Sequence, residues 1–365
     1  MVNARGNGRA TMADRRVRAG ILGIDGSGVA LLEALRSCER IELIALADND
    51  RDLAKNRASE LGVEAYDDYR SFVVEQPMDA LFVSVPPFAC HEHLKLAASR
   101  GVHVWRAPPL ARTVHEAEGL IRAFEKSNTR LVVGRRWQFM SEAAGLADVE
   151  ATIGRPYAAR GVALIHESDP LAWRGDSERA GGGVLIDRAY GLIDAIVQTM
   201  HLPDEVQATT ARRSGTQPYD TEDVASATLR YQSGAMAAVF AHRRARPTTW
   251  SLVFDGPEGS LILEPPRLAV QTTDGGEHVP PCPTEKVICA AQVRAFAQAI
   301  LAEAKTYPSP ASQHLATVAV IETAYLSART GEPESPAQLY HLHDLPMPSR
   351  VSTEEEEDEG QSEQA

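Results

Sequence analysis

The chain is organised by two different rhythms of apolar residues. In the first third, short and nearly unbroken apolar runs occupy 18–23 (RAGILG), 41–47 (IELIALA), 80–85 (ALFVSV), 102–105 and 131–133. Between them, 29–35, 51–61, 91–100 and 113 to about 127 carry helical spacing. Gly62 and Gly101 stand where helices should stop, and Pro86-Pro87 ends a strand. Thr113-Val114-His115-Glu116 is a capping box, in which hydroxyl and carboxylate each satisfy a free amide at a helix start. From about Ile153 the rhythm changes. The segments 157–165, 205–210, 225–231, 235–241, 249–254 and 260–263 have the look of antiparallel strands, with a hairpin turn over 231–235. Helices are predicted at 290–302 and 313–329.

Strands that are apolar throughout are buried on both faces, which requires a parallel sheet with helices on either side. Right-handed crossovers then wind it into a Rossmann-type doubly wound fold. The predicted class is α/β: an N-terminal doubly wound parallel sheet followed by a C-terminal α+β domain with a large, mostly antiparallel open sheet. The expected divisions are a disordered start (1–16), a dinucleotide-binding domain (17–137), a domain for substrate and oligomerisation (138–345) and a disordered acidic tail (346–365).

Charge narrows the choice of partners. The 365 residues carry a net −13, part of it in the run Glu354 to Glu359, and this argues against binding nucleic acid or an anionic membrane. The stretch Met1 to Arg16 has no apolar run, so neither a signal peptide nor a membrane span is expected there. Cys38, Cys90, Cys282 and Cys289 have no metal-ligand spacing. They are expected to be reduced thiols, with no metal site, in a cytoplasmic protein.

Ligands of doubly wound sheets bind at the carboxyl ends of the strands, so Gly23, Asp48, Pro86 and Arg106 should rim one crevice. A dinucleotide turn needs Gly-x-Gly-x-x-Gly: one glycine to turn, one to admit the pyrophosphate, one for helix–strand packing. Here Gly23-Ile24-Asp25-Gly26-Ser27-Gly28 keeps the first and third and has Asp25 at the second. A carboxylate there either occupies the anion site at the helix start or bulges aside on Gly26. Asp48 is placed to bond the adenosine ribose and to repel a 2′-phosphate, which favours NAD over NADP.

Together these stretches resemble the Gfo/Idh/MocA family from about Val17 to Pro333. The resemblance is carried by Ile44 to Asp48, by Val85-Pro86-Pro87 with His91-Glu92-His93, and by Gly101 to Val104. Further along, Arg135-Arg136-Trp137, Gly181 to Asp187, Glu222-Asp223-Val224 and Ala324 to Ala328 also match. It implies a nicotinamide cofactor near Gly23, Gly26, Gly28, Asp48, Pro86 and His91. It also implies a sugar- or polyol-like ligand between the domains near Arg136, Trp173, Asp187 and Asp194, and an open sheet that packs on another subunit. The departures fall at the chemistry. The family's Glu-Lys-Pro is Arg106-Ala107-Pro108, and its catalytic histidine falls at Gly191. Asp187 and Asp194 are kept. Tyr190 is a possible substitute acid if its hydroxyl reaches the substrate, and a packing residue otherwise. Arg106 either stabilises an oxyanion or pairs with a carboxylate such as Asp187 or Asp25. Three functions compete: an oxidoreductase of altered chemistry using Tyr190, Asp187 and Arg106; a non-catalytic ligand sensor or regulatory subunit; and a structural partner of an active paralogue.

Overall fold

A computed structural model describes residues 15–146, 148–168, 170–213 and 217–348. The expected disorder at the two ends falls, for 1–14 and 349–365, outside the described residues.

The first lobe alternates strictly: β1 (Val17–Leu22), α1 (Ser27–Ser37), β2 (Ile41–Ala47), α2 (Arg51–Leu61), β3 (Glu64–Tyr66), α3 (Tyr69–Glu75), β4 (Ala80–Val83), α4 (Pro87–Ser99), β5 (His103–Arg106), α5 (Val114–Lys126) and β6 (Leu131–Val133). The six strands are all parallel, in the order β3-β2-β1-β4-β5-β6. β4 and β6 are buried at every position, as their unbroken apolar runs require. Asp50 caps α2 through the amides of Asp52 and Leu53, Gly62 closes it in the left-handed region, and Thr113 caps α5 by accepting from the Glu116 amide.

After α6 (Arg136–Ala143) and α7 (Val149–Ile153), the chain enters the second sheet with β7 (Ala158–His166). α8 (Ser177–Ala180), α9 (Val184–Arg188) and α10 (Tyr190–Met200) follow, then β8 (Glu205–Ala211), β9 (Val224–Arg230), β10 (Met236–His242), β11 (Arg244–Gly256), β12 (Gly259–Glu264), β13 (Arg267–Thr272) and β14 (Glu277–His278). The chain closes with α11 (Glu285–Leu301), α12 (Ala311–Thr330) and α13 (Pro336–Leu342).

The eight strands run β14-β13-β12-β11-β7-β10-β9-β8. One pairing, β10 with β7, is parallel and the rest are antiparallel, so the sheet is mixed rather than purely antiparallel. α9, α10 and α12 cover one face of it. On the other, Met236 and Phe240 of β10 are exposed, while the alternate residues Ala237, Val239 and Ala241 are buried.

α11 crosses back to the first lobe. Its Val293, Phe296 and Ala297 join Ile21, Leu31, Leu35, Phe82 and Trp105 in one apolar cluster. Phe296 meets Phe82 edge-on at 5.5 Å between ring centroids.

Candidate active site

The crevice lies where the sequence places it, at the carboxyl ends of the parallel strands. A cavity of about 340 Å³ is walled by Gly23, Asp25, Gly26 and Ser27 of the first turn, by Asp48 at the end of β2, and by Ser84 to Pro87 beyond β4. Ala107-Pro108-Pro109 beyond β5 and Trp173, Arg174 and Asp187 of the second lobe complete it.

The turn keeps the geometry its glycines imply. Gly23 has φ +85, and a Cβ there would press on Val85. A Cβ on Gly28 would overlap the Gly23 carbonyl oxygen, so the first and third glycines are both required. The Asp25 side chain is exposed and accepts a hydrogen bond from the Gly26 amide at 2.7 Å. No side chain caps α1 itself, so the positive end of the helix stays open toward the cavity. Asp48 does two local jobs: its carboxylate accepts from the Ile24 amide (2.9 Å), pinning the turn, and from the Asp50 amide (3.0 Å). Ser27 and Ser84 share a hydroxyl–hydroxyl bond of 2.8 Å that ties the turn to β4. These residues fit a dinucleotide: the turn and the α1 start would hold its pyrophosphate, and Asp48 its ribose.

On the opposite wall, Asp187 lies in the short α9 beyond the glycine-rich segment. It accepts from Arg174 Nε at 3.2 Å and is ion-paired to Arg188 at 3.1 Å. The Arg174 guanidinium stacks on Trp173 (4.5 Å to the ring centroid), and Trp173 leans on Phe88 of α4. Gly182 and Gly183 let this segment close on Tyr325 and Glu222, where any Cβ would collide. The Tyr325 hydroxyl donates to Glu222 (2.9 Å) and accepts from the Gly183 amide (3.1 Å). Burial pushes the Glu222 carboxyl above its usual value.

Several residues expected at the site stand elsewhere. Arg106 is 1% exposed and lies behind the wall. Its Nε donates to the Ala107 carbonyl (3.0 Å) and its Nη1 to that of Leu110 (2.8 Å). It bonds neither Asp187 nor Asp25, and instead fixes the loop that carries Ala107. Tyr190 is buried: its hydroxyl accepts from the Leu110 amide (3.4 Å) and meets His314 Nδ1 at 3.2 Å. Burial, with Asp194 nearby, drives its pKa far above that of an ordinary phenol. Asp194 is also internal. It accepts from Arg135 Nε (2.8 Å), Trp137 Nε1 (2.9 Å) and Thr317 (3.0 Å), and lies 3.1 Å from His314. Burial alone would raise this carboxyl, but His314 and Arg135 hold it well below the usual range. Arg136 turns to the surface, pairing with Glu285 at 2.6 Å and lying over Trp250. His91 is half-buried on α4, outside the cavity wall and close to Glu116 of α5 and Arg112 just before it; burial keeps it below the ordinary imidazole value. At Gly191 a Cβ would meet nothing within 4 Å.

The sequence reading missed Ser84, Tyr69 and Phe88 on or beside the cavity, and His314 beneath it. Arg174, directly after Trp173, was open to it as a residue of the pocket, and it lines the cavity.

The comparisons agree with this architecture. Residues 17–135 match the model of the oxidoreductase family with an NAD-binding Rossmann fold, and 149–262 match the Gfo/Idh/MocA C-terminal domain. The chain belongs to the Gfo/Idh/MocA oxidoreductase family. It is 24% identical over 341 residues to a D-apiose dehydrogenase of Paraburkholderia graminis, covering 88% of this chain and 90% of that one. It is 28% identical over 262 residues to an NADP-linked D-xylose 1-dehydrogenase of Haloferax volcanii, covering 70% and 73%. Among solved structures, levoglucosan dehydrogenase bound to NADH and levoglucosan superposes with a TM-score of 0.81 at 21% identity, over 88% of this chain and 99% of that one.

Proposed function

We propose that this protein holds NAD and a sugar- or polyol-like molecule in the 340 Å³ crevice, but lacks the lysine–histidine proton relay that the family resemblance implies. One observation carries the reading: the wall beyond β5 presents Ala107, and neither candidate substitute, Arg106 or Tyr190, reaches the cavity. Neither alanine nor glycine moves a proton, and loss of a general acid–base group costs roughly 10²–10⁴-fold in rate. A bound nicotinamide would supply hydride exchange. Around it this chain offers Asp187, steadied by Arg174, to orient hydroxyl groups, and Trp173 as an apolar shelf. Asp48 favours NAD, because a 2′-phosphate would face its carboxylate. This supports a ligand sensor or regulatory subunit. The relatives' names supply the ligand class, since they act on apiose, xylose and levoglucosan. The exposed Met236 and Phe240 on the open sheet favour association there, with a second copy or with an active paralogue.

Calorimetric titration of NAD and NADP, followed by turnover assays on a polyol panel, tests this. NAD should bind more tightly than NADP, and Asp25→Gly should tighten NAD by roughly tenfold by removing a charge beside the pyrophosphate. The unaltered chain should turn over none of the panel at ordinary enzyme rates, while Ala107→Lys with Gly191→His should gain activity. Ordinary turnover by the unaltered chain, abolished by Asp187→Asn, would replace the sensor reading with altered redox chemistry. No binding of either nucleotide would reject the cofactor assignment.

A further inference from the structure

Outside the crevice, the described residues contain one trio of metal-ligating side chains drawn together by the fold: His115, Glu118 and His343, whose ligand atoms all lie within 4.8 Å of one another. His115 and Glu118 are three residues apart on α5, so they share one face of that helix. His343 is the residue that ends α13. The two imidazole rings sit 6.0 Å apart, tilted by 33°. α12 packs against both α5 and α13, and holds these distant pieces of chain side by side.

We propose that this trio is a binding site for a borderline divalent transition-metal ion, Zn²⁺ in the first instance. The donor set decides the class of ion. Two imidazoles and one carboxylate suit zinc and its neighbours, whereas Mg²⁺ and Ca²⁺ take oxygen ligands throughout. Tetrahedral ligands at about 2.0–2.1 Å from the metal stand roughly 3.4 Å apart. Closure therefore needs each side chain to move by about 1 Å. None of the three is buried in the core, so rotation about the side-chain bonds provides this without repacking. Glu118, 12% exposed, is paired with Arg122, whose side chain is 66% exposed, so the arginine can swing into water and leave the carboxylate to the metal. Water completes the coordination. The bound ion would clip the last helix to α5, which the sequence separates by more than two hundred residues.

The test uses the full chain, stripped with chelator and titrated with Zn²⁺ alone. One equivalent should bind, and the melting temperature should rise by a few degrees, because the ion binds the folded state. His115→Ala, His343→Ala and Glu118→Gln should each weaken binding by at least roughly tenfold. They should leave the metal-free melting temperature near that of the parent, which controls for misfolding. Co²⁺ should give visible bands of a low-coordinate nitrogen–oxygen site, without thiolate charge transfer. Absence of saturable binding overturns the proposal. So does binding that survives unchanged in a His115→Gln/His343→Gln double variant, since the ion would then sit on the acidic tail or the cysteines.

Discussion

Asp187 and Asp194 are seven residues apart, and both belong to the motif that the family resemblance singles out, yet the structure gives them opposite duties. Asp187 faces the crevice and shares its charge with two half-exposed arginines. Asp194 is 2% exposed and collects donors from the start of α6 (Arg135 and Trp137) and from α12 (Thr317). Removing a partner from a buried charged network strands the other member, which typically costs 3–5 kcal/mol, whereas exposed pairs contribute about 1 kcal/mol or less. Asp194→Ala should therefore lose about 3–5 kcal/mol in urea denaturation, chiefly by leaving Arg135 unpaired, and Asp187→Ala about 1 kcal/mol or less. Equal losses would contradict this division. At this scale the sequence was only partly legible. That Gly23 and Gly28 are indispensable followed from spacing alone, because the constraint is local. Apart from the adjacent Ala107 carbonyl, the partners of Arg106, Tyr190 and Asp194 come from 4 to 124 residues away, and nothing in the local pattern names them.

Elements were more legible than partners. β2 and α2 coincide with the predicted spans, because an apolar run and a capped, glycine-stopped helix carry their own boundaries. β3, β13 and α13 went unpredicted. Each is short, and the exposed β3 has no apolar run to announce it. The prediction that α4 begins at His91 was late by one turn, since Pro87 occupies its first position, where a missing N–H is harmless. At the lower end of the parallel sheet, His103 at the start of β5 accepts at Nδ1 from the Arg130 amide just before β6 (3.0 Å). Burial, aided by Arg130, lowers its pKa to about 4. The unfolded chain, with imidazoles near 6.5, then binds more protons than the folded one between about pH 4 and 6.5. Stability should therefore rise with pH across that window. His103→Gln, which keeps an acceptor for the amide, should flatten that slope in denaturation curves taken at pH 4.5, 5.5 and 6.5. An unchanged slope would assign the acid sensitivity to other groups.

For the whole molecule, the predicted change of rhythm near Ile153 correctly marks the passage from parallel to mixed sheet. The crevice lies where the two meet, with the turn of the first lobe on one side and the glycine-rich segment on the other. Hydrophobic period alone could not show that α11 belongs spatially with the first lobe, because a buried helical face gives no indication of which surface it covers. That return of the chain has a practical meaning for anyone dividing the protein. A fragment ending near residue 137 would be born without the cover over Phe82 and Trp105, and should stick to itself. Supplied in trans with the remainder, the same fragment has a docking helix waiting for it. The cut near residue 137 is thus a poor place to isolate a nucleotide-binding module and a good place to build a split reporter, whose reassembly would be driven by the greasy seam between α1 and α11.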